Sequence, residues 1–321
     1  MLDIRCALGG IHAKIFVLQL ALVFASVHPA LSLEEIMVSY AGPTVTFLPA
    51  EVARQRGFLR EQNLDMKLLL TRSEVDRAAL VSGGVDYTLR AGSSFVSAAR
   101  GLPVRIVFLG TMKPFWGLVV RPEVKSVKEL KGKSLGVPGL LGSQQISAKF
   151  ILKHYGLDPD KDVVYRVVDS GTRIAGMLSG AIDSSMMDYG EAFRARKVGL
   201  KFLVNAADLH ALLAGGLAVN VRKLREQPDQ VRRVLKSMAQ ALKYMQENPE
   251  GTQQVMMKWL MLDHEMAAEI YQMAINNYAK NGMVEESMLN SLVTTMLAEA
   301  GIKGVAPSQL TDFTLLQQAL K

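Results

Sequence analysis

Short apolar runs alternate with helically spaced apolar positions along the first two thirds of the chain. Residues 36–40 predict a strand, 49–56 a helix, 64–70 a strand and 74–81 a helix. Residues 85–89 are extended, 95–100 helical and 104–109 extended, with Gly57, Gly83-Gly84 and Gly101 at the helix ends. A helix often ends on a left-handed residue, so glycine there marks its stop. The pattern then restarts. Strands are predicted over 117–120, 134–137 and 163–167, and extended segments over 181–186 and 201–204. Between them 144–155 and 173–179 are helical, and Ser126-x-x-Glu129 is a capping box opening a short helix. Alternation of this kind predicts mostly parallel sheets covered by helices.

One more strand is predicted over 217–221, and from Gln227 the chain changes character. Val231, Val234, Leu235, Met238, Leu242 and Met245 recur at helical spacing, and helical patterns continue over 267–278 and 288–300. The methionines here suit adaptable core packing. Two α/β sets and a helical tail, with no long Gly/Ser linker, predict a two-lobed α/β fold crossed twice by the chain. The crossings are expected near residues 116–119 and 213–218. Lobe I is then 33–117 with 214–321, and lobe II is 118–213.

The N-terminus stands outside this pattern. Arg5 and Lys14 precede an apolar run over 15–27, followed by His28-Pro29 and the small residues of Ala30-Leu31-Ser32. That order predicts a cleaved export signal over 1–32, with Leu33 the first mature residue. A spanning helix needs about 20 apolar residues, more than this run supplies. Cys6 is the only cysteine and lies before the run, so no lipid-anchoring cysteine follows it and the mature chain has no thiol. A periplasmic location is expected. The net charge is +7, and removing Arg5, Lys14 and Asp3 leaves 35 basic and 29 acidic residues, or +6. These charges are scattered; the densest stretch, 125–133, is interrupted by Glu129 and has no stacked aromatics, so no nucleic-acid partner is expected.

Ligands of open α/β sheets bind outside the carboxyl ends of the strands. Four such turns carry Ser or Thr at the expected helix start: Thr44 and Thr46 in Gly42-Pro43-Thr44-Val45-Thr46, Ser93 and Ser94 after Gly92, Ser143 after Gly142, and Ser170 with Thr172. Unpaired N–H groups and the positive dipole end at several helix starts would suit a small organic anion. Ser and Thr are also ordinary N-caps that need no ligand. Gln144 adjoins Ser143. Phe47, Phe115, Trp116 and Tyr189 lie in or beside predicted loops, where they either pack against a ligand or belong to the core. Arg90 at a strand end is a candidate anion partner, and Asp188 borders Tyr189. The stretch 138–143 resembles an anion-cradling loop but lacks the Gly-Lys-Ser/Thr ending of a nucleotide P-loop.

Catalytic patterns are thin. His154, His210 and His264 show no metal-ligand spacing, there is no Gly-x-Ser-x-Gly elbow, and no nucleophile comes with a base and an orienter. The chain is expected to use no cofactor or metal and to catalyse nothing.

A family resemblance runs from about residue 36 to about 248. It is carried by Gly57-Phe58-Leu59 with Asn63-Leu64-Asp65-Met66, Gly84-Val85-Asp86-Tyr87, and Ala99-Arg100-Gly101-Leu102-Pro103-Val104. Leu118-Val119-Val120-Arg121-Pro122, Ser126-Val127-Lys128-Glu129-Leu130-Lys131-Gly132-Lys133, Gly142-Ser143, Gly156-Leu157-Asp158-Pro159 and Gly180-Ala181-Ile182-Asp183 follow in order. The chain is similar to periplasmic binding proteins of the nitrate, sulfonate and taurine type, which share a domain with thiamine-pyrimidine binding and synthesis proteins. The resemblance implies a Venus-flytrap fold, with a ligand held between lobes that close about a hinge, and the helical tail completing lobe I. It also implies a monomer that binds a small molecule and docks on the membrane permease subunits of an ABC importer. Ligand-facing positions are implied at 42–46, 92–94, 142–143 and 188–189. The alternatives are a thiamine-pyrimidine-precursor binding or synthesis protein, and a ligand-sensing module for a receptor. Related pyrimidine-synthesising proteins carry a cysteine-rich motif that the mature chain lacks, which counts against a synthase.

Overall fold

The computed structural model describes residues 32–140 and 142–321. The export signal expected over 1–32 lies, but for Ser32, outside the described residues. No helix among the described residues is long and apolar enough to cross a membrane. The architecture is α/β with two lobes, each built on a five-stranded sheet.

The strands in chain order are β1 (Glu34–Tyr40), β2 (Leu64–Leu70), β3 (Tyr87–Thr88), β4 (Val104–Leu109), β5 (Trp116–Val120), β6 (Lys133–Val137), β7 (Val163–Val167), β8 (Ser184–Asp188), β9 (Lys201–Asn205) and β10 (Gly216–Asn220). The first sheet has the order β2-β1-β3-β10-β4, the second β7-β6-β8-β5-β9. In the first, β1 pairs in parallel with β2 and β3, and β10 runs antiparallel between β3 and β4. In the second, β6 is parallel to β7 and β8, while β5 is antiparallel to β8 and β9. The near-continuous apolar runs of β4 and β5 follow from their burial on both faces by helices.

The chain passes between the sheets over 110–115 and 206–215. These crossings lie beside each other: Gly110 N and Thr111 N donate to the Gly215 carbonyl, and the Thr111 hydroxyl accepts from Ala214 N and Gly215 N. Register then puts the carboxyl ends of the parallel strands of both sheets toward the crossings, because Trp116 at the start of β5 pairs with Asp188 at the end of β8.

Several elements begin earlier than the apolar pattern predicts. The helix expected over 95–100 spans Ala91–Ala99, and that expected from Gln144 begins one residue sooner as Ser143–His154. Gly92, Ser93 and Ser94 therefore sit in a first helical turn. The capping box forms with a shifted partner. Ser126 Oγ donates to Glu129 at 3.0 Å, while the second Glu129 oxygen accepts from Lys125 N, and the turn Val127–Leu130 is a 3₁₀ helix.

All six periodic residues between Val231 and Met245 are buried on one face of the helix Pro228–Glu247. Each fully buried side chain of this kind contributes about 1.5–3 kcal/mol. That face packs on the first sheet with Pro249–Leu260 and His264–Ala274, forming a core with Ile36, Val38 and Val219. Ion pairs join the helices of the second sheet to the C-terminal segment: Lys153–Glu299 at 2.6 Å, Lys197–Asp263 at 2.6 Å and Arg196–Glu269 at 3.4 Å.

Candidate functional site

Two helix starts meet beside the crossings. Gly92, in the first turn of Ala91–Ala99, donates its N–H to the Ala214 carbonyl at 2.9 Å. A Cβ on Gly92 would lie 2.5 Å from Ser143 Oγ, in the first turn of Ser143–His154, and 2.8 Å from the Leu213 carbonyl. Only a residue without a side chain permits this approach. The N-cap of the second helix, Gly142, has no side chain and makes no side-chain cap hydrogen bond.

The other expected residues divide into those near this junction and those turned into the protein. Gly42 is buried, Pro43 exposed and Thr44 half-buried on the turn leading to the 3₁₀ helix Val45–Phe47. Thr46 lies against the second crossing: its carbonyl is 2.5 Å from where a Cβ on Gly215 would stand. Phe47 is buried edge-on to Tyr40, with ring centroids 6.3 Å apart. A void of about 10 Å³ beside Thr46, Phe47, Gly110 and Gly216 has room for about one water. The Ser93 and Ser94 hydroxyls donate back to the Arg90 carbonyl, at 3.2 and 2.9 Å. Neither acts as the N-cap expected of it. Arg90 is half-buried, donates to the Thr71 carbonyl, and has its pKa lowered by burial. Thr172 is exposed and donates to the Asp169 carbonyl at 3.0 Å.

Trp116, Asp188 and Tyr189 are buried. Asp188 caps the helix Tyr189–Lys197 by accepting from Glu191 N at 3.1 Å, and burial raises its pKa. The Tyr189 ring is edge-on to Phe115, and its hydroxyl donates to Asn205 at 2.9 Å. Phe115 in turn packs on Tyr278 at 4.6 Å. Aromatic residues that pattern alone placed in loops thus form the floor around the crossings.

Two buried polar clusters escaped the sequence reading. In lobe I, Asp76 accepts from the hydroxyls of Ser39 and Thr88, at the carboxyl ends of β1 and β3. In lobe II, Arg173 is 1% exposed. It donates to the Met186 carbonyl, to Ser170 Oγ and to Gln144 Oε1, and faces Glu191 at 3.4 Å. Burial pushes the Glu191 carboxyl up to about 8 despite the pull of Arg173. The guanidinium and the carboxyl lie side by side, one hydrogen bond behind Gln144 at the helix start. Arg173 and Glu191 carry no motif, since only the packing of β8 brings them together. An exposed ion pair, Arg72–Asp169 at 3.5 Å, links the two lobes at the edge of this region.

Ser147 and His210 form the one hydroxyl–imidazole pair near the crossings among the described residues, at 2.7 Å. Ser147 is fully buried, the His210 ring stacks on Phe150 at 4.9 Å, and His210 Nδ1 has no hydrogen-bond partner, so the pair lacks the third group of a triad. No group of His, Cys, Asp and Glu among the described residues is arranged to hold a metal ion.

A family model described as NMT1/THI5 like matches residues 44–252. The chain belongs to this family. Over 227 residues it is 29% identical to the 4-amino-5-hydroxymethyl-2-methylpyrimidine phosphate synthase THI5 of Saccharomyces cerevisiae, covering 64% of this chain and 65% of that protein. It is also 24% identical over 231 residues to the riboflavin-binding protein RibY of Chloroflexus aurantiacus, covering 69% of this chain and 65% of that one. The periplasmic nitrate-binding protein NrtA of Synechocystis superposes with a TM-score of 0.72 at 14% identity, over 89% of this chain and 88% of that one. The chain thus spans about two thirds of the length of its curated relatives and has the two-lobed fold of periplasmic binding proteins. The expectation that it catalyses nothing is overturned by the THI5 match, because relatives within this NMT1/THI5 like family are enzymes by name.

Proposed function

We propose that this chain captures a small organic anion between its two lobes, with the helix starts at Gly92 and Ser143 closing on it. The approach of Gly92 to Ser143 carries the reading. It brings a helix start from each sheet to one place beside the crossings, and leaves first-turn N–H groups at Ser143 and Gln144 for an anion. Arg173, charged behind Gln144, adds a positive field from lobe II. The turn 42–46 and Thr172 would complete the rim. Because the helix starts touch in this structure, ligand entry requires the lobes to part, and a ligand contacting both favours the closed state. Sulfonates, carboxylates and aromatic acids fit this chemistry. Likeness to periplasmic binding proteins supports an exported protein, cleaved near Ser32, that delivers its ligand to an ABC permease.

A second reading is favoured by the synthases among its relatives, namely that the same cleft binds or forms a thiamine pyrimidine precursor. A thermal-shift screen of the purified protein separates the two. It uses alkanesulfonates, taurine, nitrate, aliphatic and aromatic carboxylates, riboflavin and 4-amino-5-hydroxymethyl-2-methylpyrimidine phosphate. A ligand at about 100 times its Kd adds roughly 2.7 kcal/mol to stability. A shift with one class of anion that is lost in Ser143→Trp supports capture in the cleft. A shift confined to the pyrimidine phosphate supports the second reading, and a shift that survives Ser143→Trp places the site elsewhere.

A further inference from the structure

A groove of about 650 Å³ opens at the end of the first sheet remote from the crossings. Topology fixes its distance from the cleft. In the antiparallel pair β4–β10, Leu109 opposite Gly216 leads into the crossings, whereas Val104 opposite Asn220 closes the other end, against which the groove lies. Its volume falls in the range of about 300–1,000 Å³ common to small-molecule pockets.

Its lining mixes apolar and cationic side chains. Leu102, Pro103 and Leu310 line it together with Arg105, Arg222 and Arg225, and no lining residue is acidic. The three guanidiniums have little to neutralise them. Arg225 has no hydrogen-bond or ion-pair partner among the described residues, and Arg105 donates to the Val104 carbonyl. Arg222 faces Glu226 at 3.8 Å with both side chains mostly exposed, which is worth little in water. Arg222 is placed by its neighbours: its Nη2 lies 3.1 Å from the site of a Cβ on Gly83, and its N–H donates to Asn220 at 2.8 Å. A concave apolar surface with several planar forks and no carboxylate matches a ligand with an apolar body and an oxyanion head.

We infer that this groove is a second binding site, separate from the cleft, for an amphipathic organic anion of the medium-chain carboxylate class. Isothermal titration calorimetry of the full protein with decanoate below micelle-forming concentrations tests it, with decan-1-ol as the uncharged comparator. Decanoate should bind saturably at a site that is kept in Gly92→Ala, whether or not the cleft also takes it, and decan-1-ol at least about tenfold more weakly, the order of one charge-assisted hydrogen bond. Arg225→Glu changes an exposed, unpartnered side chain and should weaken decanoate by about tenfold, and Arg222→Glu with Arg225→Glu by more. Gly92→Ala, which alters the cleft, should leave decanoate binding at that site unchanged. The inference is overturned by absence of saturable decanoate binding or by equal binding of the alcohol. Affinity within about twofold of the parent in the double variant, or loss of binding in Gly92→Ala, overturns it too.

Discussion

Replacing Gly92 by alanine tests whether the closed arrangement depends on the contact between helix starts. The new Cβ would stand 2.5 Å from Ser143 Oγ, 2.8 Å from the Leu213 carbonyl oxygen and 3.3 Å from Ala214 Cα. Ordinary carbon contacts begin near ~3.5 Å, so all three neighbours must give way. The Ser143 hydroxyl can rotate aside, but the two backbone atoms belong to the second crossing, which Gly92 itself ties down through Ala214. Overpacking of this kind costs about 1–3 kcal/mol. Parting the lobes relieves only the Ser143 contact, while the two backbone contacts stay, so the closed state carries the lower end of that strain. A penalty of about 1 kcal/mol on the closed state shifts the ratio of closed to open molecules roughly 5-fold. Small-angle scattering should then give a larger radius of gyration for Gly92→Ala than for the parent. Ser143→Gly combined with Gly92→Ala should recover part of the difference, because of the three contacts made by the new Cβ it removes the one that crosses between lobes. A Gly92→Ala protein with the parent's scattering profile and the parent's melting temperature would refute the argument.

Other consequences follow from buried charge. Arg173→Ala leaves Gln144 Oε1, the Met186 carbonyl and Ser170 Oγ without their donor, and a buried acceptor left unsatisfied costs about 1–3 kcal/mol, measurable by urea unfolding. The Glu191 carboxyl is raised to about 8 in the folded state against 4.5 ordinarily, so the folded protein holds the proton more tightly. Its contribution to stability is full below pH 4.5, declines as pH rises and is lost above about 8; Glu191→Gln should flatten that decline. Anion affinity in the cleft should fall over the same upper limb, as ionised Glu191 offsets Arg173, and the Gln variant should remove that fall as well. His210 shows the opposite slope. Burial lowers it to about 4, so stability is lost as pH falls from 6.5 toward 4, by roughly 3 kcal/mol at most, and His210→Phe should abolish the loss in urea melts. Gly117→Ala would bring a Cβ to 2.3 Å from the Val204 carbonyl inside the second sheet, and should lower the melting temperature more than Gly92→Ala does.

What was legible in the chain divides along physical lines. Strands and long helices were legible because burial imposes a period: Val231 through Met245 read as one apolar stripe and form one. The extended reading over 85–89 contains the strand Tyr87–Thr88, but the early start of Ala91–Ala99 was not legible, since Ala91, Gly92 and the serines carry little periodic signal and the helix start is set by its seat on the second crossing. Among the candidate residues, Gly92 and Ser143 were each singled out as a small residue at a strand-to-helix turn, and nothing local showed that they would face each other. Tyr189 was ambiguous because an aromatic beside a loop serves a ligand or a core equally well, and its hydroxyl proves to be engaged by Asn205. Arg173 and Glu191 were invisible because their chemistry is long-range. A guanidinium reaching Met186, Gln144 and Glu191 at once is a product of the second sheet's strand order, and no spacing along the chain records it. The absence of a recognisable catalytic motif was likewise a statement about local spacing. The THI5 match shows that kinship with enzymes can persist without one. Chemistry assembled from separate strand ends, as in the Arg173 cluster, leaves no contiguous trace.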